Sequence, residues 1–573
     1  MHLIPDSPFP INPSHCGPYR AKIKIIETTD VIICGCGLTE PAITTDPRGI
    51  ALDDDGIRFL QGLGLYDNIY TKTCMGNFGF VSGADCDMHK KPILALDYNT
   101  TAGVTGHAGF IGHKQPVLEI QMREVMHPSF CSLQCNSTVI SLNEDKKWTV
   151  VLFFVGADGK TGYTQKHYLE AKSVILEKFH DAFYEETWVA LNWQITVPTP
   201  QSHPNFPLWH LGYTPEQVYD QFFPPEFRFL CNPDRPAVCG RFGLPADQLW
   251  RFEYIIRSGE DGFEMAKPEV MRRIVFPYLT HSGSRYKLSQ PVQFPEDCIE
   301  VPRCRPFSFS SRTCNMWSKD RVILCGDAAH VFPPSSGFRD AISLSWRLAT
   351  LCRYQPTQKS HHQILKAWHQ ERKQQLELSL ATTVENGRMV CETHPINIFV
   401  RDWYLRFIQL IPSWRRQLQH GQRKTSLVQY RYSAGMPFMP DLNGGLYLPQ
   451  VYCRTMERKK IKSLFRLFVY LESSSELIPV TEALERIDEW SRREFHSNDI
   501  PIILETIEMK DQSKTRSVFQ IASAEEFAGS PLCDSRPKPL DYDPHLLRDK
   551  VQGRYIIVRP DRFIFASCQD TIS

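Results

Sequence analysis

The feature that most constrains this chain is a short apolar strand that ends in two closely spaced glycines. The sequence VIICGCG closes on Gly35 and Gly37. A strand followed by G-x-G begins the turn that binds a dinucleotide pyrophosphate, because a glycine without a Cβ lets the backbone approach a phosphate closely. The usual third glycine is absent. By itself the turn also fits an ordinary strand end.

A second strand-and-turn segment is more specific. In DRVILCGDAAHVFPP an apolar strand leads to Gly326 and Asp327. A carboxylate at that point can accept hydrogen bonds from a polyol, and the two small alanines that follow leave room for close approach. Pro334 helps to stiffen the segment before the next helix. The alternative is an aspartate that only caps a turn.

Length, charge and cysteine usage restrict the architecture and the partners. At 573 residues the chain is too long for one compact core. A net charge of +1 favours neither a nucleic acid nor an acidic membrane surface. No apolar run approaches the length of a membrane span. The 18 cysteines are scattered and form no CxxC pair, so we expect reduced thiols, a cytoplasmic location and no metal site.

Strand, helix and proline patterns predict an α/β protein with an α+β insertion. We divide the chain into a flexible lead-in at 1–29, a nucleotide-binding domain in two parts at 30–187 and 303–413, a sheet-rich substrate-binding insertion at 188–302 and a small α/β domain at 430–573. The insertion is rich in prolines and aromatic residues, and we expect it to cover a pocket. The polar sequence RRQLQHGQRKTS is predicted to be a linker.

Five segments occur in an order seen in a known group of enzymes. They are GCG, DPRGIALDDDGIRFLQGLGL, KQPVLEIQMREVM, VGADGKTGYTQKHYL and RVILCGDAAHVFPPSSGFRDAISLSWRLA. From about Asp30 onward the chain resembles the single-component FAD-dependent aromatic hydroxylases of the para-hydroxybenzoate hydroxylase and phenol hydroxylase group, most of all the fungal secondary-metabolite members. The resemblance implies a Rossmann-like FAD-binding domain and a thioredoxin-like C-terminal domain. Because that last domain has no CxxC, we expect it to serve packing or homodimer contact.

The resemblance also implies a set of FAD-binding residues, namely Gly35, Gly37, Arg48, Gly49, Gln115, Arg123, Asp158, Gly326, Asp327 and Pro334. The first two glycines would face the pyrophosphate. Arg48 and Gly49 match the segment that reaches the flavin side of the nucleotide.

The other assigned side chains lie in three later segments. Gln115 and Arg123 match contacts to the ribityl and phosphate groups of FAD. Asp158 belongs to a turn shared by the FAD and NAD(P)H paths, or else only ends a strand. Asp327 would hold the ribityl hydroxyls. No catalytic residue can be named, although a tyrosine or arginine of the insertion could help to ionise a phenol.

Three elements of the family pattern are missing. Only LTEPAIT follows Gly37 before Thr45, too short for the helix, second strand and ribose-binding carboxylate expected there. HVFPP leads directly to SSGFRDA without a glycine-rich flavin loop, and KKWTVVLFFVGADG is too short for a full hairpin. A faulty gene model and a degenerate enzyme both account for these gaps. Arg339 and Asp340 open the next helix and are equally consistent with a surface salt bridge.

The function implied by the resemblance is hydroxylation of a phenolic or polyketide-derived aromatic substrate by O2, with FAD as cofactor and NAD(P)H as electron donor, in secondary-metabolite biosynthesis. One alternative is a non-catalytic relative that acts as a binding or scaffold protein. The other is a plain NAD(P)-dependent dehydrogenase. The GCG turn alone argues for a dehydrogenase, whereas GDAAHVFPP, which that class does not need, argues against it.

Overall fold

A computed structural model describes most of the chain. The described residues are 3–5, 29–35, 49–69, 74–75, 77–98, 100, 104–107, 109–135, 137–144, 151–179, 185–331, 336–354, 358–421, 429–454, 464–487, 491, 495–506, 518–533 and 542–569. The chain forms two compact units. Unit 1 comprises Met1–Asp46, Pro116–Glu185 and Phe309–Leu380, and unit 2 comprises Pro47–Gln115, Glu186–Ser308 and Ala381–Ser573.

The strands of the described residues are β1 Leu3–Pro5, β2 Thr29–Cys34, β3 Gly49–Leu52, β4 Cys74–Met75, β5 Phe78–Ser82, β6 Leu94–Leu96, β7 Ile111–Lys114, β8 Ser137–Val139, β9 Val151–Gly156, β10 Leu176–Lys178, β11 Glu185–Ile195, β12 Phe227–Cys231, β13 Ala237–Phe242, β14 Leu249–Ile255, β15 Thr280–His281, β16 Val292–Gln293, β17 Ile299–Ser310, β18 Arg312–Cys314, β19 Ser318–Lys319, β20 Val322–Leu324, β21 His330–Val331, β22 Arg466–Ser473, β23 Ile502–Thr506, β24 Val518–Gln520, β25 Tyr555–Val558 and β26 Ile564–Cys568.

The α-helices of the same residues are α1 Asp54–Gly62, α2 Tyr66–Ile69, α3 Gln115–Glu124, α4 Pro215–Phe222, α5 Gly262–Met265, α6 Pro268–Val275, α7 Ser336–Tyr354, α8 Gln358–Cys391, α9 Pro395–Ile408, α10 Pro412–Gln419, α11 Leu477–Glu485, α12 Ala524–Ala528 and α13 Leu546–Lys550. None of these described helices combines the length and the apolar character that crossing a bilayer requires.

Unit 1 is organised around a four-stranded sheet in the order β19-β20-β9-β2. Strands β20, β9 and β2 run parallel, and β19 pairs with β20 antiparallel. The central strands are short apolar runs, VLFFVG in β9 and VIL in β20. Such runs are typical of parallel strands, which are covered on both faces. The parallel direction brings the carboxyl ends of β2, β9 and β20 to one edge of the sheet.

Two long helices of the predicted nucleotide-binding domain are confirmed as α7 and α8. A buried ion pair joins them, with Arg347 Nη2 2.6 Å from Glu371 Oε2 and both side chains inaccessible to solvent. Arg347 Nη1 also donates to the Ser343 carbonyl oxygen at 2.7 Å. Separating the two side chains would leave each with an uncompensated buried charge. The pair therefore holds α7 and α8 in one register.

Unit 2 contains a seven-stranded sheet in the order β17-β11-β14-β13-β12-β5-β6. The sequence prediction of a sheet-rich insertion is confirmed, since five of these strands come from 185–310. The sheet also takes in β5 and β6, which lie far earlier in the chain. Its core is rich in large aromatic side chains, including Trp193, Trp250 and Phe252. The sheet therefore extends beyond the segment 188–302 on both sides.

The C-terminal part of unit 2 holds a five-stranded mixed sheet in the order β24-β23-β22-β25-β26. In β22 the side chains alternate between two cores. Val469 and Leu471 face one core, whereas Phe468 and Tyr470 face the other. A sheet covered on both faces agrees with the predicted small α/β domain.

Two segments differ from the sequence predictions. Leu3–Pro5, within the predicted flexible lead-in, pairs antiparallel with Ser137–Val139. The predicted linker RRQLQ lies in α10. Pro412 begins that helix at a position where its missing N–H costs nothing, and the Arg, Gln and Leu residues that follow all favour helix.

Replacing Trp193 by alanine should destabilise unit 2. The indole is fully buried and packs against Trp250 with ring centroids 5.3 Å apart. Loss of so large a core side chain costs about 3–5 kcal/mol. Urea unfolding followed by circular dichroism should show a clearly lower midpoint, while Phe263→Ala, at a 76% exposed position, should leave it nearly unchanged. Equal midpoints for the two variants would contradict this packing.

Candidate functional site

The carboxyl edge of the parallel sheet in unit 1 collects three of the sequence-predicted residues. Gly35 follows β2, Asp158 lies just beyond β9 and Gly326 lies just beyond β20. Hydrogen bonds tie the strand ends together, since Ala157 N donates to the Cys34 carbonyl at 2.7 Å and Cys325 N donates to the Gly156 carbonyl at 2.9 Å. In open α/β sheets, ligands bind outside the carboxyl ends of the strands.

Gly35 is required by the protein's own backbone. Its φ of +89° is favourable only for glycine. A Cβ there would also lie within 3.0 Å of the Ala157 carbonyl and of Asp158 Cα, closer than real Cβ atoms approach. Gly35 thus follows β2 with a backbone conformation typical of a glycine turn, and the rest of the predicted turn lies outside the described residues. Gly35 is explained without a bound phosphate.

Gly326 has a different environment. It begins a single 3₁₀ turn, Gly326–Ala328, with a φ of +61°. Among the described residues, a Cβ on Gly326 would meet only Gly337 Cα, at 4.0 Å, and a Cβ on Gly337 would meet only Gly326 Cα, at 3.8 Å. Gly337 is in the first turn of α7. The described residues thus leave room beside a backbone turn and the N-terminal turn of a helix, and a helix N-terminus favours an anionic ligand.

Asp340 holds this turn in place. Its Oδ2 accepts hydrogen bonds from Gly326 N at 3.1 Å and from His330 Nε2 at 2.7 Å, and its Oδ1 accepts one from Arg372 Nε at 2.8 Å. The carboxylate is inaccessible to solvent. Burial opposes ionisation, but His330 and Arg372 overcome it and lower the carboxyl pKa to about 2. The alternative of a surface salt bridge does not hold for Asp340, because Arg372 of α8 pairs with the carboxylate in a buried position.

Asp327 is the carboxylate that remains accessible. Its side chain is exposed, yet desolvation by the surrounding protein raises its pKa against the opposing charges of His330 and Lys160. This is the kind of position from which a carboxylate can accept hydrogen bonds from ligand hydroxyls.

Asp158 is turned back onto its own loop. One carboxylate oxygen, Oδ2, accepts hydrogen bonds from Thr164 N at 2.8 Å and Thr164 Oγ1 at 2.9 Å. It thereby caps the π-helical turn Thr164–Leu169. The other oxygen, Oδ1, is buried and accepts no hydrogen bond within the described part of the chain. The hydrogen bonds of Oδ2 explain how Asp158 shapes its loop. They leave Oδ1 for a ligand.

The remaining sequence-predicted residues are less informative. Gln115 and Arg123 are both half-buried on α3, about two helical turns apart. Gly49 pairs with Lys114 between β3 and β7. Three predicted residues lie outside the described residues: Gly37, Arg48 and Pro334. The roles assigned to all of these residues stay predictions.

Sequence reasoning missed His330 and Arg372. Both are buried and both bind Asp340. A signal for Arg372 exists in α8, where it falls in register with the buried Leu365, Trp368 and Leu376. A charged residue on an apolar helical stripe must find a buried partner. The sequence does not say where that partner lies.

A comparison with protein-family models identifies one segment of the chain. Residues 287–382 match the family described as FAD binding domain. This segment contains the Gly326 turn, Asp340 and Arg372, so the match falls on the site at the sheet edge. The predicted FAD-binding domain is thereby confirmed.

Curated relatives of the chain are aromatic hydroxylases. The chain is 25% identical over 383 residues to the 3-(3-hydroxy-phenyl)propionate/3-hydroxycinnamic acid hydroxylase of Burkholderia cenocepacia (strain HI2424), covering 65% of this chain and 62% of that protein. It is 24% identical over 446 residues to the enzyme of the same name from Klebsiella pneumoniae (strain 342), covering 74% of this chain and 67% of that protein. The chain thus spans less than two thirds of the length of the first relative. The resemblance to FAD-dependent aromatic hydroxylases is confirmed.

Solved structures share the fold. The flavin-dependent monooxygenase PieE, in complex with FAD and substrate, is 14% identical with a TM-score of 0.59, covering 94% of this chain and 92% of that one. Aklavinone-11 hydroxylase with FAD and aklavinone is 13% identical with a TM-score of 0.55, covering 95% and 91%. At these identities the likeness is one of fold, and it confirms the predicted fold class.

Replacing Asp340 by asparagine should destabilise unit 1 in a pH-dependent way. The variant leaves Arg372 buried without its anion, a loss on the order of 3 kcal/mol. A carboxyl whose pKa falls from 3.8 to about 2 on folding stabilises the native state above pH 3.8 and loses that effect as the pH falls towards 2. The stability difference from wild type, measured by urea unfolding, should therefore be constant near neutral pH and narrow below about pH 4.

Asp441→Asn is the control for Asp340→Asn, because Asp441 is exposed. It should match wild type across the same pH range. A difference between Asp340→Asn and wild type that persists unchanged at the acid end would contradict an ionised Asp340.

Proposed function

We propose that this relative of the flavin-dependent aromatic hydroxylases is an FAD-dependent monooxygenase that hydroxylates a phenolic or polyketide-derived aromatic ring, using NAD(P)H and O2. The observation that supports the proposal is the turn after β20, where the exposed Asp327 carboxylate lies next to Gly326, which the described residues leave uncrowded. This turn lies in the segment that matches the FAD binding domain.

The residues at the sheet edge fit FAD. An acceptor carboxylate at Asp327 suits the hydroxyls of a ribityl chain, and the N-terminus of α7 suits a phosphate. A Cβ on Gly326 or on Gly337 would extend into the space beside these two residues. The Asp327 carboxylate suits a polyol, and the start of α7 suits a phosphate. Both lie within the short segment from Gly326 to Gly337.

Each residue has a separate task in this proposal. Asp327 orients the ribityl chain by accepting hydrogen bonds from its hydroxyls. Asp340 positions the turn by binding Gly326 N, and it does not touch the cofactor itself. Bound FAD would supply what side chains lack, the acceptance of electrons from NAD(P)H and the activation of O2. The protein's part is to orient substrate and cofactor and to exclude water.

The substrate class rests on the relatives. Two curated relatives carry names of hydroxylases for phenolic acids. One neighbour in fold was solved with the polyketide aklavinone, and another, 15% identical with a TM-score of 0.53, is described as a rebeccamycin biosynthetic enzyme. The names of the two curated relatives specify an aromatic ring that carries a hydroxyl group. A place in secondary-metabolite biosynthesis and a fungal origin are part of the proposal.

The second candidate function is a non-catalytic binding protein. It is favoured by β2, the end strand of its sheet among the described residues. Ile33 in that strand is 63% exposed, whereas the complete family pattern would place a helix and a further strand after this turn. A site that has lost the ribose side of its cofactor could still bind an aromatic ligand.

Replacing Asp327 by asparagine should weaken FAD binding. Hydrogen bonds to a charged acceptor contribute about 1.5–3 kcal/mol, so the dissociation constant should rise about tenfold or more. Titration of the apoprotein with FAD, followed by flavin fluorescence, measures the change. The same substitution at Asp320, in the turn before β20, is the matched control and should leave FAD affinity unchanged. Equal affinity for both variants would remove Asp327 from the FAD site.

Catalysis is tested with protein saturated with FAD. A phenol such as 3-(3-hydroxyphenyl)propionate, or a polycyclic phenol, should stimulate NAD(P)H oxidation and yield a product heavier by one oxygen atom. A folded, colourless protein that binds the phenol without oxidising NAD(P)H would favour the binding-protein function. Oxidation of NAD(P)H by a carbonyl compound, in protein free of FAD and in the absence of O2, would favour a dehydrogenase.

A further inference from the structure

Three side chains that commonly bind metal ions converge in unit 2. His203, Asp297 and Cys298 each offer one ligand atom, and these atoms all lie within 4.8 Å of one another. His203 Nε2 is 3.2 Å from each carboxylate oxygen of Asp297 and 3.7 Å from Cys298 Sγ. In the part of the chain that the structure describes, no other group of three His, Cys, Asp or Glu side chains converges in this way. We call these three residues the His–Asp–Cys cluster.

The spacing of the cluster matches a tetrahedral zinc site. Zn²⁺ binds imidazole nitrogen and carboxylate oxygen at about 2.0–2.2 Å and thiolate sulfur at about 2.3 Å. At the tetrahedral angle, ligand atoms at these distances from the metal lie about 3.3–3.7 Å from one another. The observed nitrogen–oxygen and nitrogen–sulfur distances, 3.2 Å and 3.7 Å, agree with these values. A hydrogen bond between His203 and Asp297 would explain only the first distance.

Hydrogen bonds hold the backbone of His203 on both sides. The residue lies in the loop after β11, where its N–H donates to the Thr199 carbonyl at 2.9 Å. Its own carbonyl accepts hydrogen bonds from Phe206 N at 3.0 Å and from Trp209 Nε1 at 2.7 Å. A ligand on a well-held backbone needs little reorganisation when a metal ion binds.

The other two ligands are neighbours at the start of β17. They belong to the 3₁₀ turn Glu296–Cys298, which directly precedes that strand. The Cys298 carbonyl accepts a hydrogen bond from Thr196 N at 2.8 Å, which ties the turn to the chain just after β11. Cys298 is buried, at 4% exposure, whereas the Asp297 side chain is 76% exposed. The cluster therefore has the thiol on its inner side and is open to solvent at the carboxylate, where a metal ion can enter.

Ser202 lies at the other nitrogen of the imidazole ring. Its Oγ is 2.9 Å from His203 Nδ1. When this oxygen accepts a hydrogen bond from Nδ1–H, the neutral imidazole carries its lone pair on Nε2, the nitrogen that faces Asp297 and Cys298. Histidines that bind metals usually donate the N–H of their second ring nitrogen to an acceptor in this way.

The charges of the cluster favour a divalent cation. A carboxylate and a thiolate together carry two negative charges, which Zn²⁺ would neutralise, and a neutral imidazole adds none. Without a cation, burial raises the pKa of the Cys298 thiol to about 11, and the charge of Asp297 adds to that rise. Zinc binding would therefore displace the thiol proton, which is released to solvent. Nitrogen, oxygen and sulfur ligands in a tetrahedral arrangement are typical of zinc.

We propose that His203 Nε2, the Asp297 carboxylate and Cys298 Sγ bind one Zn²⁺ ion, with water as the fourth ligand on the solvent side. The ion would join the loop after β11 to the start of β17, between residues 94 positions apart in the chain. A link across so long a segment stabilises a fold by restricting the unfolded chain. The sequence led us to expect no metal site because the cysteines form no CxxC pair, and ligands this far apart leave no spacing pattern to read.

The first test measures the zinc affinity of the full-length, FAD-loaded protein after treatment with a chelator. Competition with a fluorescent zinc indicator should give a dissociation constant of about 1 µM or lower. Asp297→Asn should raise that constant at least about tenfold, because losing a direct ligand costs at least as much as losing an outer-shell partner. Since Asp297 is exposed, circular dichroism and FAD content should be unchanged. Glu300→Gln, at a nearby exposed carboxylate, is the matched control and should bind zinc like wild type.

Substitution with Co²⁺ tests the thiolate directly. A tetrahedral Co²⁺–thiolate site gives a sulfur-to-metal charge-transfer band in the near-ultraviolet and d–d bands at wavelengths longer than those that flavin absorbs. Both are recorded as difference spectra against the FAD-loaded protein without cobalt. Cys298→Ser should lose the charge-transfer band, whereas Cys304→Ser, at a half-buried cysteine of β17, should keep it.

The proposal is overturned if the wild-type protein binds zinc no more tightly than Asp297→Asn, or only at millimolar concentrations. It is also overturned if Cys298→Ser retains the charge-transfer band of the wild type. Should Cys298→Ser lose the wild-type circular dichroism spectrum, the comparison of Asp297→Asn with Glu300→Gln decides. None of these measurements depends on the proposed hydroxylase activity, so either proposal can fail without the other.

Discussion

A single buried carboxylate organises the candidate site. Asp340 accepts hydrogen bonds from the backbone of the Gly326 turn, from His330 in β21 and from Arg372 in α8. Burying an ion is unfavourable unless its lone pairs are satisfied, so these donors cannot be lost one at a time without leaving a charge or a polar group uncompensated. The position of the turn that presents Asp327 is therefore set by Arg372, which follows the turn by more than forty residues of chain.

The two glycine turns at the sheet edge have different physical causes. Gly35 is fixed by the approach of the Ala157 carbonyl, which fills the space that a Cβ would need. At Gly326 the described residues place only Gly337 Cα near that position, at 4.0 Å. A glycine that meets the protein's own backbone is explained by folding, whereas an uncrowded glycine beside a helix end suggests a ligand. For this reason the proposed FAD site depends on the turn after β20, and β2 contributes mainly the sheet edge.

Buried charge also explains the unusual orientation of α9. The helix is held to unit 2 by Arg401 and its partners, so the side that carries the ion pair must face inward. The aromatic side chains of α9, Phe399, Trp403, Tyr404 and Phe407, therefore face outward. Exposed aromatic surface of this extent is unfavourable in water. One ion pair thus decides which side of α9 is turned inward.

The sequence by itself determined the local elements. The apolar run and glycine of β20, the amphipathic pattern of α7 and the long helical pattern of α8 are all present as predicted. These signals are reliable because periodicity and turn chemistry act over a few neighbouring residues. The family resemblance rested on the same short segments.

Only the tertiary structure decided which partners those elements have. Periodicity shows that Arg372 lies on a buried stripe, but not that Asp340 is the group it meets. Nor does it show that β5 and β6 complete a sheet whose other strands begin about ninety residues later. Likewise it cannot tell which side of α9 is turned inward. Which residues pair across long stretches of chain depends on the shape and charge of the whole core. A local sequence pattern does not contain that information.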